Sequence, residues 1–205
     1  MVANFVTFTC PRHAPDAAPI ARGRMPGDKG MTKETPGMLG YIHNAPRGST
    51  NAILAELADR LATDGRRVTG LVQCRAPATG DHPCDMDLKC LPDGPTFGIA
   101  QDLGTGSRGC RMDLGSLENA AQAVAAEVEK GADLLIINKF GAQEAQGRGF
   151  APVIARALEL GIPIVTVVNP LNLDAFLTFA GGLQVALPAD AGAIIRQLAL
   201  QTTQP

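Results

Sequence analysis

Asp133-Leu134-Leu135-Ile136-Ile137-Asn138 is the stretch that decides the fold. Four consecutive apolar residues between polar ones have neither the alternation of a half-exposed strand nor the length of a helix. A strand covered on both faces reads this way, and such strands belong to parallel sheets with helices packed on either side. Ile162 to Val168, rich in β-branched residues, repeats the pattern. Between the two lies a helical spacing of Val153, Ile154, Ala157 and Leu158, closed by Gly161. Upstream, Leu117, Ala121, Val124 and Val128 mark another helix, ended by Gly131, with Ser116 as its expected cap.

The same alternation extends to both ends. Leu39 to His43 reads as a first strand, and Ile53, Leu54, Leu57 and Leu61 as the helix after it. Ser49 or Thr50 is expected to cap that helix through a hydroxyl that accepts from its first-turn N–H groups. Glu56 and Arg60 form an i,i+4 pair on its other side. Arg67 to Gln73 is a second strand, and residues 74–95 show no period. Thr96 to Ala100 is a further strand, Leu173 to Phe179 a short helix, Leu183 to Leu187 a last strand, and Asp190 to Leu200 a last helix. Strands alternating with helices of about three turns predict an α/β fold, a three-layer α/β/α arrangement around a mostly parallel sheet. Residues 1–37 differ: Ala14 to Gly37 is rich in Pro, Gly and charge without any period, so a flexible N-terminal tail is expected before a domain over 38–205.

Composition narrows the functions. With 18 Lys plus Arg against 20 Asp plus Glu in 205 residues, no basic excess supports nucleic-acid binding or attachment to an anionic membrane. Aromatic residues are 4% with no Trp, which argues against a stacking platform for single strands. No apolar run approaches the roughly 20 residues that span a bilayer, and the first residues lack the basic start of a signal peptide. A cytoplasmic location is therefore expected. Five cysteines, an odd number, then point to free thiols or metal ligands rather than a disulfide framework.

In a parallel sheet the ligand sits at the carboxyl ends of the strands. Those ends carry the candidate site residues. Gly48-Ser49-Thr50 lies between the first strand and a helix start, the place of a P-loop, where backbone N–H groups and the helix dipole attract anions. A P-loop requires Gly-Lys-Ser/Thr there, and no lysine lies nearby. Thr50 or Asn51 can still offer a group to magnesium. A plain capped turn accounts for the same residues. At the end of the central strand, Asn138 stands where a nucleotide hydrolase places an Asp for magnesium. Glu144 follows as a carboxylate able to orient water, with Lys139 and Arg148 adding positive charge. The bland alternative is a polar strand end with a solvated helix start. Gly104 to Gly109, with Arg108, is an anion nest or a simple Gly turn. Cys84, Cys90 and Cys110, with His82 near the first, lack the Cys-x-x-Cys spacing of a strong zinc site. None of the three histidines sits in a recognisable nucleophile context.

Several of these stretches together resemble a bacterial family, domain-of-unknown-function family 2478. They are Ile136 to Gly149, Gln101 to Gly104, Gly109 to Asp113, Cys84 to Leu88 and Phe176 to Gly182, and the likeness covers roughly residues 39–188. That family is similar in architecture to P-loop nucleoside-triphosphatases, and its members are often encoded beside molybdate-transport genes. The resemblance implies a P-loop NTPase-like fold and a role around molybdenum or nucleotide handling. The expected ligand is a small anion, a nucleotide phosphate with magnesium or an oxyanion such as molybdate. Gly48, Ser49 and Thr50 would hold it, with Asn138, Lys139, Glu144 and Arg148 opposite. The expected partners are molybdenum-transport or molybdoenzyme-maturation proteins. Two alternatives stand beside this. One is a divergent nucleoside-triphosphatase in which Glu144 is catalytic. The other is an accessory protein holding a metal through thiolates, Cys84 and Cys110 foremost.

Overall fold

A computed structural model describes residues 37–43, 45–46, 48–74, 87–101 and 111–202. The predicted tail (residues 1–36 of it), Cys84, Cys110 and the Gly104 to Gly109 turn lie outside the described residues. The chain runs β1 (Leu39–Ile42), α1 (Thr50–Thr63), β2 (Val68–Cys74), β3 (Asp87–Leu91), β4 (Thr96–Gly98), β5 (Ala100–Gln101), β6 (Arg111–Met112) and α2 (Leu114–Glu129). It continues with β7 (Leu134–Phe140), α3 (Ala142–Ala145), α4 (Ala151–Glu159), β8 (Ile164–Val168), a 3-10 turn (Pro170–Asn172), α5 (Leu173–Ala180), β9 (Gln184–Leu187) and α6 (Ala191–Thr202). Seven strands form one sheet in the order β4-β3-β2-β7-β8-β1-β9. β2, β7, β8, β1 and β9 are parallel neighbours, whereas β3 and β4 pair antiparallel at one edge. β5 and β6 make a separate two-stranded ribbon.

β7 occupies the centre, and its four apolar residues explain why. Leu134 and Ile136 face a cluster with Ile53, Leu54 and Leu57 of α1 and Ile194 of α6. Leu135 and Ile137 face the opposite cluster with Val124 of α2, Ile154 of α4 and Phe176 of α5. All four are at most 1% exposed. At roughly 1.5–3 kcal/mol per buried aliphatic side chain, this strand anchors both helical layers. The three-layer α/β/α architecture with a mostly parallel sheet follows directly.

Three local expectations are corrected. Ser49 stands at the N-cap of α1, but its hydroxyl donates to the Pro46 carbonyl at 2.7 Å and makes no cap bond. The cap of α2 is Asp113, not Ser116: its carboxylate accepts from the N–H groups of Gly115 and Ser116 and from the Ser116 hydroxyl. A carboxylate outcompetes a hydroxyl at a helix start because it also complements the positive end of the dipole. Finally, residues 74–95 contain a strand, β3, that pairs antiparallel with β2; its alternation, Leu88 and Cys90 inward and Asp87 and Lys89 outward, is too short to stand out in the sequence.

β2 packs against β7 at unusually close range at Gly70, where φ is +116° and an added Cβ would collide with the Ile136 carbonyl. Gly70→Ala should therefore cost at least about 2 kcal/mol, read as a lower urea midpoint at unchanged slope.

The Asp113 carboxyl is held below the usual carboxylate range, chiefly by the Ser116 hydroxyl and then by the main-chain N–H groups of Ser116 and Gly115. A depressed folded-state pKa contributes stability above the unfolded value, about 4, and that contribution is lost as pH falls through the folded value. The melting-temperature difference between wild type and Asp113→Asn should be constant above pH ~5 and shift against wild type below pH ~4; a difference independent of pH would contradict the assignment.

Candidate functional site

The carboxyl ends of β1, β2, β7 and β8 and the head of α1 converge on one edge of the sheet. The turn into α1 is built from Pro46, Gly48 and Ser49. Gly48 takes a positive φ of 82° in open space, and the Ser49 N–H donates to the Pro46 carbonyl at 3.0 Å. Thr50 is the first helical residue. The first turn of α1 has no side-chain cap and no acidic residue. The helix N-terminus thus keeps its positive end without an anionic side chain of its own.

Asn51, the next residue, ties this head to the sheet. The Asn138 side-chain amide donates to Asn51 Oδ1 at 3.0 Å, and Asn51 Nδ2 donates in turn to Gln73 Oε1 at 2.9 Å. The result is a chain of three neutral amides across the ends of β7, α1 and β2, all partly buried. Sequence reading singled out Asn138 and touched on Asn51; Gln73 emerged only from the pairing of β2 beside β7. Because each amide both donates and accepts, the orientation of one sets the others.

The strand beneath is bent to allow this. The β7–β8 register runs regularly through Ile137↔Thr166, then shifts so that Phe140 pairs with Val168. Asn138 and Lys139 fall in the irregularity. Thr166 bridges it: fully buried, its hydroxyl donates to the Ile137 carbonyl at 2.9 Å and accepts from the Phe140 N–H at 3.1 Å. Two main-chain groups that lose their ladder partners at the bulge are satisfied by one side chain. In the sequence Thr166 is simply one β-branched residue of a buried strand, so its role was not visible there.

Glu144 is 4% exposed. One carboxylate oxygen accepts from the Gly141 N–H at 2.9 Å and the other from the Phe150 N–H at 3.0 Å. It clamps the β7–α4 connection from inside. Gly149, at φ +57°, is required for that clamp, because a Cβ there would overlap a Glu144 oxygen. Lys139 and Arg148 are exposed on the same connection. His43, just past β1, bonds the Val168 carbonyl at 3.3 Å and joins the ends of β1 and β8. Cys90 lies in the core at 1% exposure, where burial pushes its thiol pKa up, so it is a packing residue far from thiolate chemistry.

Magnesium, which a P-loop fold implies, finds poor ligands here. Asn51, Gln73 and Asn138 are neutral amides bonded to one another, both Glu144 oxygens are engaged by the backbone, and Asn138 replaces the acidic strand end. Among the described residues no group of three or more His, Cys, Asp or Glu is placed to hold a metal ion. Nor is any helix among them long and apolar enough to cross a membrane.

The mostly parallel sheet with helices on both faces is a P-loop NTPase-like α/β fold. The chain belongs to DUF2478, described as a family of proteins of unknown function, whose model matches residues 39–196. A relative in Bradyrhizobium diazoefficiens, molybdenum import ATP-binding protein ModC 2, is 34% identical over 152 residues. That match covers 74% of this chain and 17% of the relative, so the chain spans less than a fifth of its length. Among solved structures, a human cancer-related nucleoside triphosphatase aligns with a TM-score of 0.57 at 16% identity, covering 82% of this chain and 100% of the other. THEP1 from Aquifex aeolicus aligns with a TM-score of 0.56 at 14% identity, covering 80% and 96%. These structural likenesses confirm the P-loop NTPase-like fold.

Thr166→Val removes both bonds at the bulge while keeping the shape, leaving two buried main-chain groups unsatisfied. It should destabilise by about 2 kcal/mol or more, whereas Thr166→Ser should lose under about 1.5 kcal/mol. Chemical denaturation of the two variants side by side checks this.

Proposed function

We propose that this chain binds a small anion, a nucleotide phosphate or an oxyanion such as molybdate, at the carboxyl edge of its sheet. The observation that carries the reading is the head of α1. It is left without a cap or acidic residue and is fixed by the Asn51–Asn138 bond beside Lys139. Free N–H groups at a helix start attract anions, and a preformed position avoids the cost of ordering the loop on binding. Gly48 leaves the turn open to an approaching ligand, and Thr50 presents its N–H and hydroxyl, while Ser49, whose N–H and hydroxyl both donate to the Pro46 carbonyl, shapes the turn. Lys139 and Arg148 add positive charge from the β7–α4 connection. Asn138 keeps the floor polar and neutral, so it does not repel an oxyanion as an aspartate would.

Hydrolysis is disfavoured in this reading. A P-loop lysine stabilises charge on the transferred phosphoryl group, and Ser49 holds its place. Glu144 holds main-chain N–H groups, a positioning role. A part in molybdenum handling, alongside molybdenum-transport or molybdoenzyme-maturation proteins, is supported by the likeness to ModC 2 and is part of the same proposal.

A thermal-shift panel of ATP, GTP, molybdate, tungstate and sulfate tests it. An anion present at ~100 times its dissociation constant should add about 2.7 kcal/mol of stability, and Thr50→Glu should abolish the shift by placing a carboxylate at the helix head. Steady ATP turnover near ~1 per second, lost in Glu144→Gln, would instead establish a divergent nucleoside-triphosphatase.

A further inference from the structure

We infer that this site takes its anion without a divalent metal, and that residue 138 decides the matter. The inference rests on the anion-binding reading and adds the ionic form of the ligand. A magnesium ion demands near-octahedral oxygen ligands and is ordinarily held through one or two carboxylates plus substrate phosphates. In a P-loop protein those protein ligands come from the hydroxyl at the helix head and the acid at the strand end. Here Thr50 keeps the hydroxyl, but the strand end carries an amide, and that amide is bonded to the helix head. Asn51, the residue after Thr50, accepts from Asn138 at 3.0 Å and passes a bond on to Gln73 at 2.9 Å. Three neutral amides are bonded in series where a P-loop protein keeps a carboxylate for the cation.

The electrostatics agree. Glu144, the carboxylate of this connection, spends both oxygens on the N–H groups of Gly141 and Phe150. The exposed charges of this connection, Lys139 and Arg148, are cations, which attract a phosphate and repel magnesium. Chelation by magnesium removes two negative charges from ATP, so the metal complex should bind this surface no better than the free nucleotide.

The amide chain also makes the decisive substitution tolerable. In Asn138→Asp the carboxylate accepts from Asn51 Nδ2 once that amide turns over, and Asn51 Oδ1 then accepts from a turned Gln73. Both hydrogen bonds survive with donors and acceptors exchanged, while a carboxylate is restored at the strand end.

Calorimetric titration of the purified full chain with ATP and with molybdate, each in excess magnesium and in EDTA, provides the test. For wild type, EDTA should leave molybdate affinity unchanged and leave ATP affinity equal or stronger. For Asn138→Asp, magnesium should strengthen ATP binding by about tenfold or more, or 1.4 kcal/mol, with the melting temperature without ligand near that of wild type. Wild-type ATP binding that magnesium tightens by about tenfold or more would overturn this inference and leave anion binding standing. Failure of both ligands to bind wild type in either buffer would overturn the anion-binding reading and this inference with it. A folded Asn138→Asp protein whose ATP affinity ignores magnesium would show that residue 138 does not decide the metal requirement.

Discussion

β7 is buried on both faces, and everything that follows in the structure depends on it. Leu134 and Ile136 hold the layer of α1 and α6, while Leu135 and Ile137 hold the layer of α2, α4 and α5. A strand with this double demand has to lie in the middle of the sheet, and it does, fourth of seven. Its carboxyl end therefore opens where the helical layers part, which is where parallel sheets present ligands. Burial also constrains how the strand leaves the core: every main-chain group there needs a partner. Thr166 meets that demand at the bulge, and so allows Asn138 and Lys139 to depart from the ladder while Phe140 returns to it.

The chemistry above this strand differs from that of a hydrolase built on the same frame. Where a lysine and an aspartate would create a strong, oppositely charged pair around nucleotide and metal, this chain has a serine and an asparagine. The Ser49 hydroxyl is turned into the loop, donating to Pro46. Asn138 is bonded to Asn51. Both substitutions replace groups that act through charge by groups that act through short-range hydrogen bonds. Among partly buried side chains, that exchanges long-range attraction for geometric definition. The loop after β7 is defined in the same manner, by one buried carboxylate accepting two N–H groups and by a glycine whose missing Cβ leaves room for it.

Membership in DUF2478 and the likeness to two structures at TM-scores of 0.57 and 0.56 place these substitutions on a shared scaffold. The scaffold accounts for the strand order and for the position of the site.

Local pattern determined much of this on its own. Leu134 to Ile137, Ile162 to Val168 and the helical spacings around them specified a parallel α/β sheet, because solvent exclusion imposes a period that any reader of the chain can see. The same reading placed Ser49, Thr50, Asn138, Lys139 and Arg148 at strand and helix ends, since connectivity alone puts them there. Other features needed the third dimension. β3 alternates over only Asp87 to Cys90, and pairing with β2 across a gap in sequence is what makes it a strand. Asp113 prevails over Ser116 as a cap through the geometry of one turn. The bonds from Asn138 to Asn51 and from Asn51 to Gln73 span 87 and 22 residues. Thr166 reaches 29 and 26 residues back to the bulge. Hydrogen bonds between side chains so far apart leave no periodic trace, because their partners are chosen only when the sheet brings separate strands side by side.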